Sequence, residues 1–258
     1  MPYREKRIYS GAMLEIERRH CTHTGQVIGK RGRGLRTSPG QEKINLANAR
    51  RRLMRLLCEN FRRGDLYITL TYERITSAEE RAADLARFLR RLRRLCRERV
   101  GKELRYICVK EDRQVRPHYH LVCQSLPITP AQLLELWGQG RVELGTLDGN
   151  PDYGWLARYL TKQAEKERGK KRWSQSKNLR PPYEPEPRIL KRKALARRPQ
   201  VPKEYFVLAS YRYATTYGYE GEYVVAIRED RKQELPLDIR QQMEESETWG
   251  QMAGIKGE

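Results

Sequence analysis

Apolar residues along this chain recur now every second position, now every third or fourth, which predicts strands interleaved with helices. Residues 6–19, KRIYSGAMLEIERR, alternate loosely and read as one strand. The next stretch, HTGQVIGKRGRGLRTSPG, has too few apolar residues to pack and reads as a basic loop. With Ser38 as N-cap and Pro39 in the first turn, Ile44, Leu53, Leu56, Leu57 and Phe61 then form a helical stripe. LYITLTYE, after Gly64-Asp65, is β-branched and aromatic and reads as a strand partly buried on both faces. A second helix opens at Ser77, with Glu79 and Glu80 in its first turn. Leu85, Phe88, Leu92 and Leu95 lie on one of its faces and arginines on the other.

LRYICVKE (104–111) and PHYHLVC (117–123) read as a hairpin, ITPAQLLELWG as a short helix opened by Thr129-Pro130, and RVELGTL as a strand. A helix is expected from about Pro151 to Lys166. The basic, proline-rich stretch up to Lys203 reads as a linker or extended arm. EYFVLASYRYATTYGYEGEYVVAIRED reads as a hairpin turning near Gly218 or Gly221, and QELPLDIRQQMEESETW as a helical acidic tail. There is no internal repeat. Strands and helices in this order predict an α+β fold, an antiparallel sheet covered by helices.

Charge adds a class of partner. Lys plus Arg number 53 against 33 Asp plus Glu, a formal net charge of +20 over 258 residues, which attracts polyanions and suits a nucleic-acid binder. Five scattered cysteines without C-x-x-C spacing suggest neither a zinc knuckle nor a disulfide framework, and fit a reducing compartment. MPYREKRIYS has no apolar core of a signal peptide, and no run approaches the roughly 18 apolar residues of a membrane span. A soluble, cytoplasmic protein without a membrane partner is expected. GQVIGK (25–30) evokes a phosphate loop, but it is one residue short and Arg31 stands where Ser or Thr belongs.

Half of the chain's four histidines fall within RPHYHLVC. Side chains alternate along a strand, so His118 and His120 share a face, about 6–7 Å apart at Cβ, and can share an ion. A histidine pair alone is weak, because exposed pairs are common. Glu111, across the hairpin, can add a carboxylate, with Asp112 as substitute. Tyr159 and Lys162 share a helix face, and a phenol beside an ammonium and a divalent ion ionises more easily than in water. Thr69 and Thr71 fall on one face of their strand, beside a candidate site floor.

In order, NFRRGDLYITLTY, KEDRQVRPHYHLV and YLTK resemble the three motifs of the HUH endonucleases, closest to the rolling-circle replication initiators of small plasmids and phages. RWSQSKNL (172–179) resembles a segment that follows the tyrosine helix there, and the similarity spans roughly residues 40–180. It implies the HUH fold, a five-stranded antiparallel sheet with both histidines on the central strand. It implies Mg²⁺ or Mn²⁺ on His118, His120 and Glu111, Tyr159 as nucleophile and Lys162 as helper. The reaction implied is nicking and rejoining of single-stranded origin DNA through a 5′-phosphotyrosine, in a prokaryotic cell that supplies helicase and DNA polymerase. The position four before Tyr159 is Trp155 and the position four after is Gln163, so a single-tyrosine enzyme is expected; Tyr153 is about 9 Å away along a helix axis.

The expected organisation is an N-terminal strand and basic loop (1–37), a nicking domain (38–180), a basic linker (181–203) and a C-terminal hairpin with acidic helical tail (204–258). Phosphate contacts are expected from Arg90 and Arg94 on the arginine-rich helix and from the basic arms, including Arg172. Trp173 and Tyr183 sit among cations, the mix that stacks unpaired bases or docks onto a core. Thr69 and Thr71 are further DNA contacts. Alternatives are a single-tyrosine transposase, a mobilisation relaxase, whose third histidine neither His20 nor His23 supplies, and a non-catalytic DNA- or RNA-binding protein. A two-histidine-one-carboxylate oxygenase is disfavoured by the charge.

Overall fold

The computed structural model describes residues 3–20, 39–74, 76–111, 117–163, 172–191, 194–214 and 220–242. In chain order its elements are β1 (Tyr3–Ser10), β2 (Met13–His20), α1 (Pro39–Asn60), β3 (Leu66–Thr71), α2 (Ala78–Val100), β4 (Tyr106–Glu111) and β5 (His118–Cys123). There follow α3 (Pro130–Trp137), β6 (Val142–Thr146), α4 (Gly154–Gln163), β7 (Ser174–Gln175), β8 (Arg188–Leu190), β9 (Tyr205–Ala214) and β10 (Glu220–Arg228). They divide into two compact units. One comprises Glu42–Gly149 and Tyr153–Pro181; the other comprises Met1–Gln41, Asn150–Asp152 and Pro182–Glu258. Each holds a five-stranded antiparallel sheet, and the expected α+β arrangement, a sheet covered by helices, is that of the first.

In the first unit the strand order is β6-β3-β5-β4-β7, with β5 at the centre. Strand pleating sends Leu66, Ile68, Leu70, Tyr106, Cys108, Tyr119, Leu121 and Cys123 to one face, where Phe88, Leu89, Leu92 and Cys96 of α2 and Leu133 and Trp137 of α3 close a core. The opposite face presents Ile107, Val109 and Val122 to Leu53, Leu56 and Leu57 of α1 and Leu156, Ala157 and Leu160 of α4. The sheet is thus the middle of three layers. Each such fully buried aliphatic side chain contributes about 1.5–3 kcal/mol. Ser77 caps α2 as expected: its hydroxyl accepts from Glu80 N–H, and the Glu80 carboxylate accepts from Ser77 N–H. Thr129 and Gln132 repeat this box on α3. Cys96 rather than Leu95 extends the buried row of α2, since it lies four residues beyond Leu92.

The second unit has the order β8-β1-β2-β10-β9. The single strand expected over 6–19 is in fact a hairpin: the chain reverses at Gly11 (φ 61°), and Ser10 pairs with Met13. The alternation is loose on both sides of the turn, so its period does not mark the reversal. The hairpin expected near 204–228 is β9 and β10, and β10 pairs with β2 along seven register positions from Gly221 to Ile227. The stretch 181–203, read as a linker, adds β8 beside β1 and lays Val201 against Leu14, Ile16, Val224 and Ala226. Proline lacks a donor N–H, which leaves Arg188–Leu190 to join the ladder. Across this sheet Glu5, Arg18 and Glu222 are register neighbours, all buried; Arg18 donates to Glu5 at 2.7 Å and to Glu222 at 2.6 Å. It also donates to the Gln200 carbonyl at 2.7 Å.

The basic stretch after His20 with Ser38, residues 112–116, the expected helix end at 164–166, residues 215–219 and those beyond 242 lie outside the described residues. Among the described residues no helix is long and apolar enough to cross a membrane, and Cys58, Cys96, Cys108 and Cys123 are free thiols.

Candidate active site

On the central strand His118, His120 and Val122 face the α1/α4 layer, together with Ile107, Val109 and Glu111 of β4 and Tyr67, Thr69 and Thr71 of β3. His120 lies in register with Thr69 on one side and Val109 on the other; His118 lies between Thr71 and Glu111. The face is apolar under the helices at Ile107, Val109 and Val122. It turns polar along the same rows at Glu111, His118 and Thr71. The site is therefore an end of the helix-covered face, where apolar cover gives way to polar and ionisable side chains.

Oε2 of Glu111 is the hub, 3.1 Å from Nε2 of His120 and 3.6 Å from Nε2 of His118. Glu111 and His120 are 2% and 4% exposed, a depth at which carboxylate and imidazole are kept only with partners. The two imidazole rings stand edge to face with centroids 5.9 Å apart. Burial holds His120 below the usual imidazole range, against the Glu111 carboxylate, which draws it up. Its other nitrogen, Nδ1, is 2.9 Å from the Tyr67 hydroxyl and 3.4 Å from Thr69 Oγ1. The Tyr67 ring stacks beside it at 5.9 Å and 14°. Burial, then the neighbouring Tyr159, pushes the Tyr67 phenol up. Among the described residues no three or more His, Cys, Asp or Glu side chains form a preformed metal cage; this trio is joined by hydrogen bonding and ion pairing.

α4 delivers the tyrosine. Leu156, Ala157 and Leu160 bury one side of this helix, which turns Tyr159 outward and leaves it 41% exposed. Its ring meets His120 edge on, with centroids 5.5 Å apart. Lys162, one turn further, is exposed.

Of the residues singled out above, the structure brings together Glu111, His118, His120, Thr69, Thr71 and Tyr159. Asp112 lies outside the described residues. Tyr153 is 2% exposed in the α1/α4 core and is a packing residue. Arg90 and Arg94 are exposed on α2, which covers the other face of the sheet, so they stand on the far side from the imidazoles. Trp173 leans on the α1/α4 core and its Nε1 donates to Gln175 at 2.9 Å, while Arg172 is half-buried. Tyr183, in the other unit, is 67% exposed and pairs with Tyr9 through its backbone. Tyr67 is the residue that sequence reading missed. Its signal was the same alternation that placed Thr69 and Thr71 on one face, extended two residues back.

No curated protein and no solved structure matches the chain. Residues 65–164 match the family model described as Replication-associated protein ORF2/G2P, a stretch that runs from the start of β3 to the end of α4 and contains the whole site. That match supports a protein of the replication-initiator type.

Proposed function

We propose that this protein is a rolling-circle replication initiator of the HUH type, which nicks single-stranded origin DNA and later rejoins it. The observation that carries this reading is the meeting of Tyr159 with the His118–His120–Glu111 cluster, ring to ring at 5.5 Å. Tyr159 is the nucleophile: its Oη bonds to the scissile phosphorus, the bond from phosphorus to the 3′ oxygen breaks, and the phenolic proton ends on that oxygen. One phosphodiester replaces another, so the 5′-phosphotyrosine retains what is needed to reseal. The free 3′-hydroxyl is a primer for a host DNA polymerase, and unwinding falls to a host helicase. Lys162, on the same helix face, supplies positive charge beside the reacting phosphate. Thr69, Thr71, Arg172 and Trp173 are assigned to DNA contact.

His118, His120 and Glu111 are the residues that would hold Mg²⁺ or Mn²⁺. Two donors that share an ion at about 2.1 Å stand about 3–3.5 Å apart. The separations of 3.1 and 3.6 Å from the Glu111 oxygen are of that size. Glu111 Oε1 and His118 Nδ1 are buried with no hydrogen-bond partner among the described residues. When bound, the ion supplies positive charge against the phosphate oxygens. Two nitrogens and one oxygen suit Mn²⁺ better than Mg²⁺, which prefers an all-oxygen shell. Tyr67 holds His120 through Nδ1, which leaves Nε2 to ligate.

The test is a covalent adduct. The full chain is incubated with labelled single-stranded DNA from the origin of its replicon and Mn²⁺, then resolved on a denaturing gel. An adduct is expected with the natural chain, and none with Tyr159→Phe or after chelation. His118→Ala should abolish the adduct while keeping DNA affinity within a few-fold, because affinity comes mainly from phosphate contacts. An adduct that persists in Tyr159→Phe moves the nucleophile elsewhere; no adduct on any origin DNA leaves a non-catalytic binding protein.

A further inference from the structure

We infer that Trp155 is a stacking platform for an unpaired base that flanks the scissile phosphate. The inference deepens the nickase reading and rests on it for the position of the DNA strand. α4 buries Leu156, Ala157 and Leu160, and its solvent side carries Trp155, Arg158, Tyr159 and Lys162. Trp155, Tyr159 and Lys162 are spaced i, i+4, i+7, so indole, phenol and ammonium form one ridge.

Trp155 is 55% exposed, unusual for the side chain with the most apolar area to hide. It stands one turn, about 6 Å along the axis, from the proposed nucleophile. That is of the order of one nucleotide of an extended strand. A DNA strand whose phosphate lies at Tyr159 therefore passes the indole, and its charge is matched by Arg158 and Lys162 on the same surface and by the +20 of the chain. Every base has a π-face, so the platform accepts any base and adds affinity and registration, not sequence choice. Registration matters for an in-line attack, since displacing the phosphorus by an ångström costs much of the rate.

The test separates base from phosphate. Binding of the full chain to fluorescein-labelled dT20 is measured by anisotropy in EDTA, where no cleavage interferes, beside a strand of equal length built of abasic units. Trp155→Ala should weaken dT20 binding about 5- to 100-fold and leave the abasic strand within about two-fold. Trp155→Phe should recover most of the loss. Unchanged dT20 affinity would overturn the inference and make the indole a contact for something other than a base, such as a protein. An equal loss on both strands, or a Phe variant as weak as the Ala variant, would overturn it as well. The adduct assay with Tyr159→Phe reads the nickase hypothesis separately: an adduct that persists there removes the nucleophile assignment, whatever the anisotropy shows.

Discussion

Tyr67 shows how one hydroxyl can orient an imidazole. An imidazole has two nitrogens, and which one carries the proton depends on the partner of the other. In His120 the partner of Nδ1 is the Tyr67 phenol at 2.9 Å, with Thr69 at the longer distance of 3.4 Å. Tyr67→Phe keeps the stacked ring and deletes the hydroxyl. The expected outcome is that about 10- to 100-fold more Mn²⁺ is needed for half-maximal adduct formation, with little change in melting temperature. A Mn²⁺ titration of the adduct checks this; an unchanged requirement would assign the orientation of His120 to Thr69 and Glu111 alone.

Strands place these side chains, and the second sheet shows what their register costs when charges are buried. Glu5, Arg18 and Glu222 face one another on β1, β2 and β10, each under 5% exposed. Arg18→Ala removes the cation the two carboxylates share and leaves Glu5 with Arg7 and Glu222 with Arg212, which should cost up to about 3–5 kcal/mol at neutral pH. Burial alone would raise the Glu5 carboxyl, but Arg18 and Arg7 outweigh it and hold the group below 4.5. A depressed carboxyl stabilises the fold above its unfolded value and loses that contribution as pH falls through the folded one. The natural chain should therefore lose stability below about pH 4.5, seen as a falling denaturation midpoint. In Arg18→Ala only Arg7 is left to counter the burial of Glu5, so its carboxyl should rise. Acid should then relieve part of the defect, and the gap between the two proteins should narrow as pH falls. A gap that stays constant with pH would mean that Arg18 acts through packing.

Across the whole chain the excess positive charge is spread over surfaces that differ in what they can reach. The arginine face of α2 lies behind the sheet, while Arg158 and Lys162 lie beside the tyrosine on α4. Charge attracts DNA wherever it sits, but cleavage depends on what touches the reacting phosphate. Replacing Arg90 and Arg94 together by Ala should leave adduct formation at saturating DNA within about two-fold. The slope of log affinity against log salt should fall by at most about 0.7 per arginine. A ten-fold slower adduct would mean that the DNA wraps round to α2 before it is cut.

Much of this protein follows from local spacing. A period of two put His118 and His120 on one side of a strand, Ser77 and Thr129 marked where helices begin, and the composition set a net charge of +20. Pleat, capping and composition are properties of neighbours in the chain, so they need no knowledge of the fold. What the local pattern left open depends on which distant segments meet. The reversal at Gly11, the packing of 181–203 against a sheet, the arginines of α2 set behind the imidazoles and the reach of Tyr67 to His120 are all of this kind. Tyr159 belongs with them: one of 15 tyrosines, it lies 39 residues beyond His120 in the chain and comes beside it because three apolar residues of α4 dock on the same sheet. The burial of those residues is a tertiary event, and it alone decided what the phenol would face.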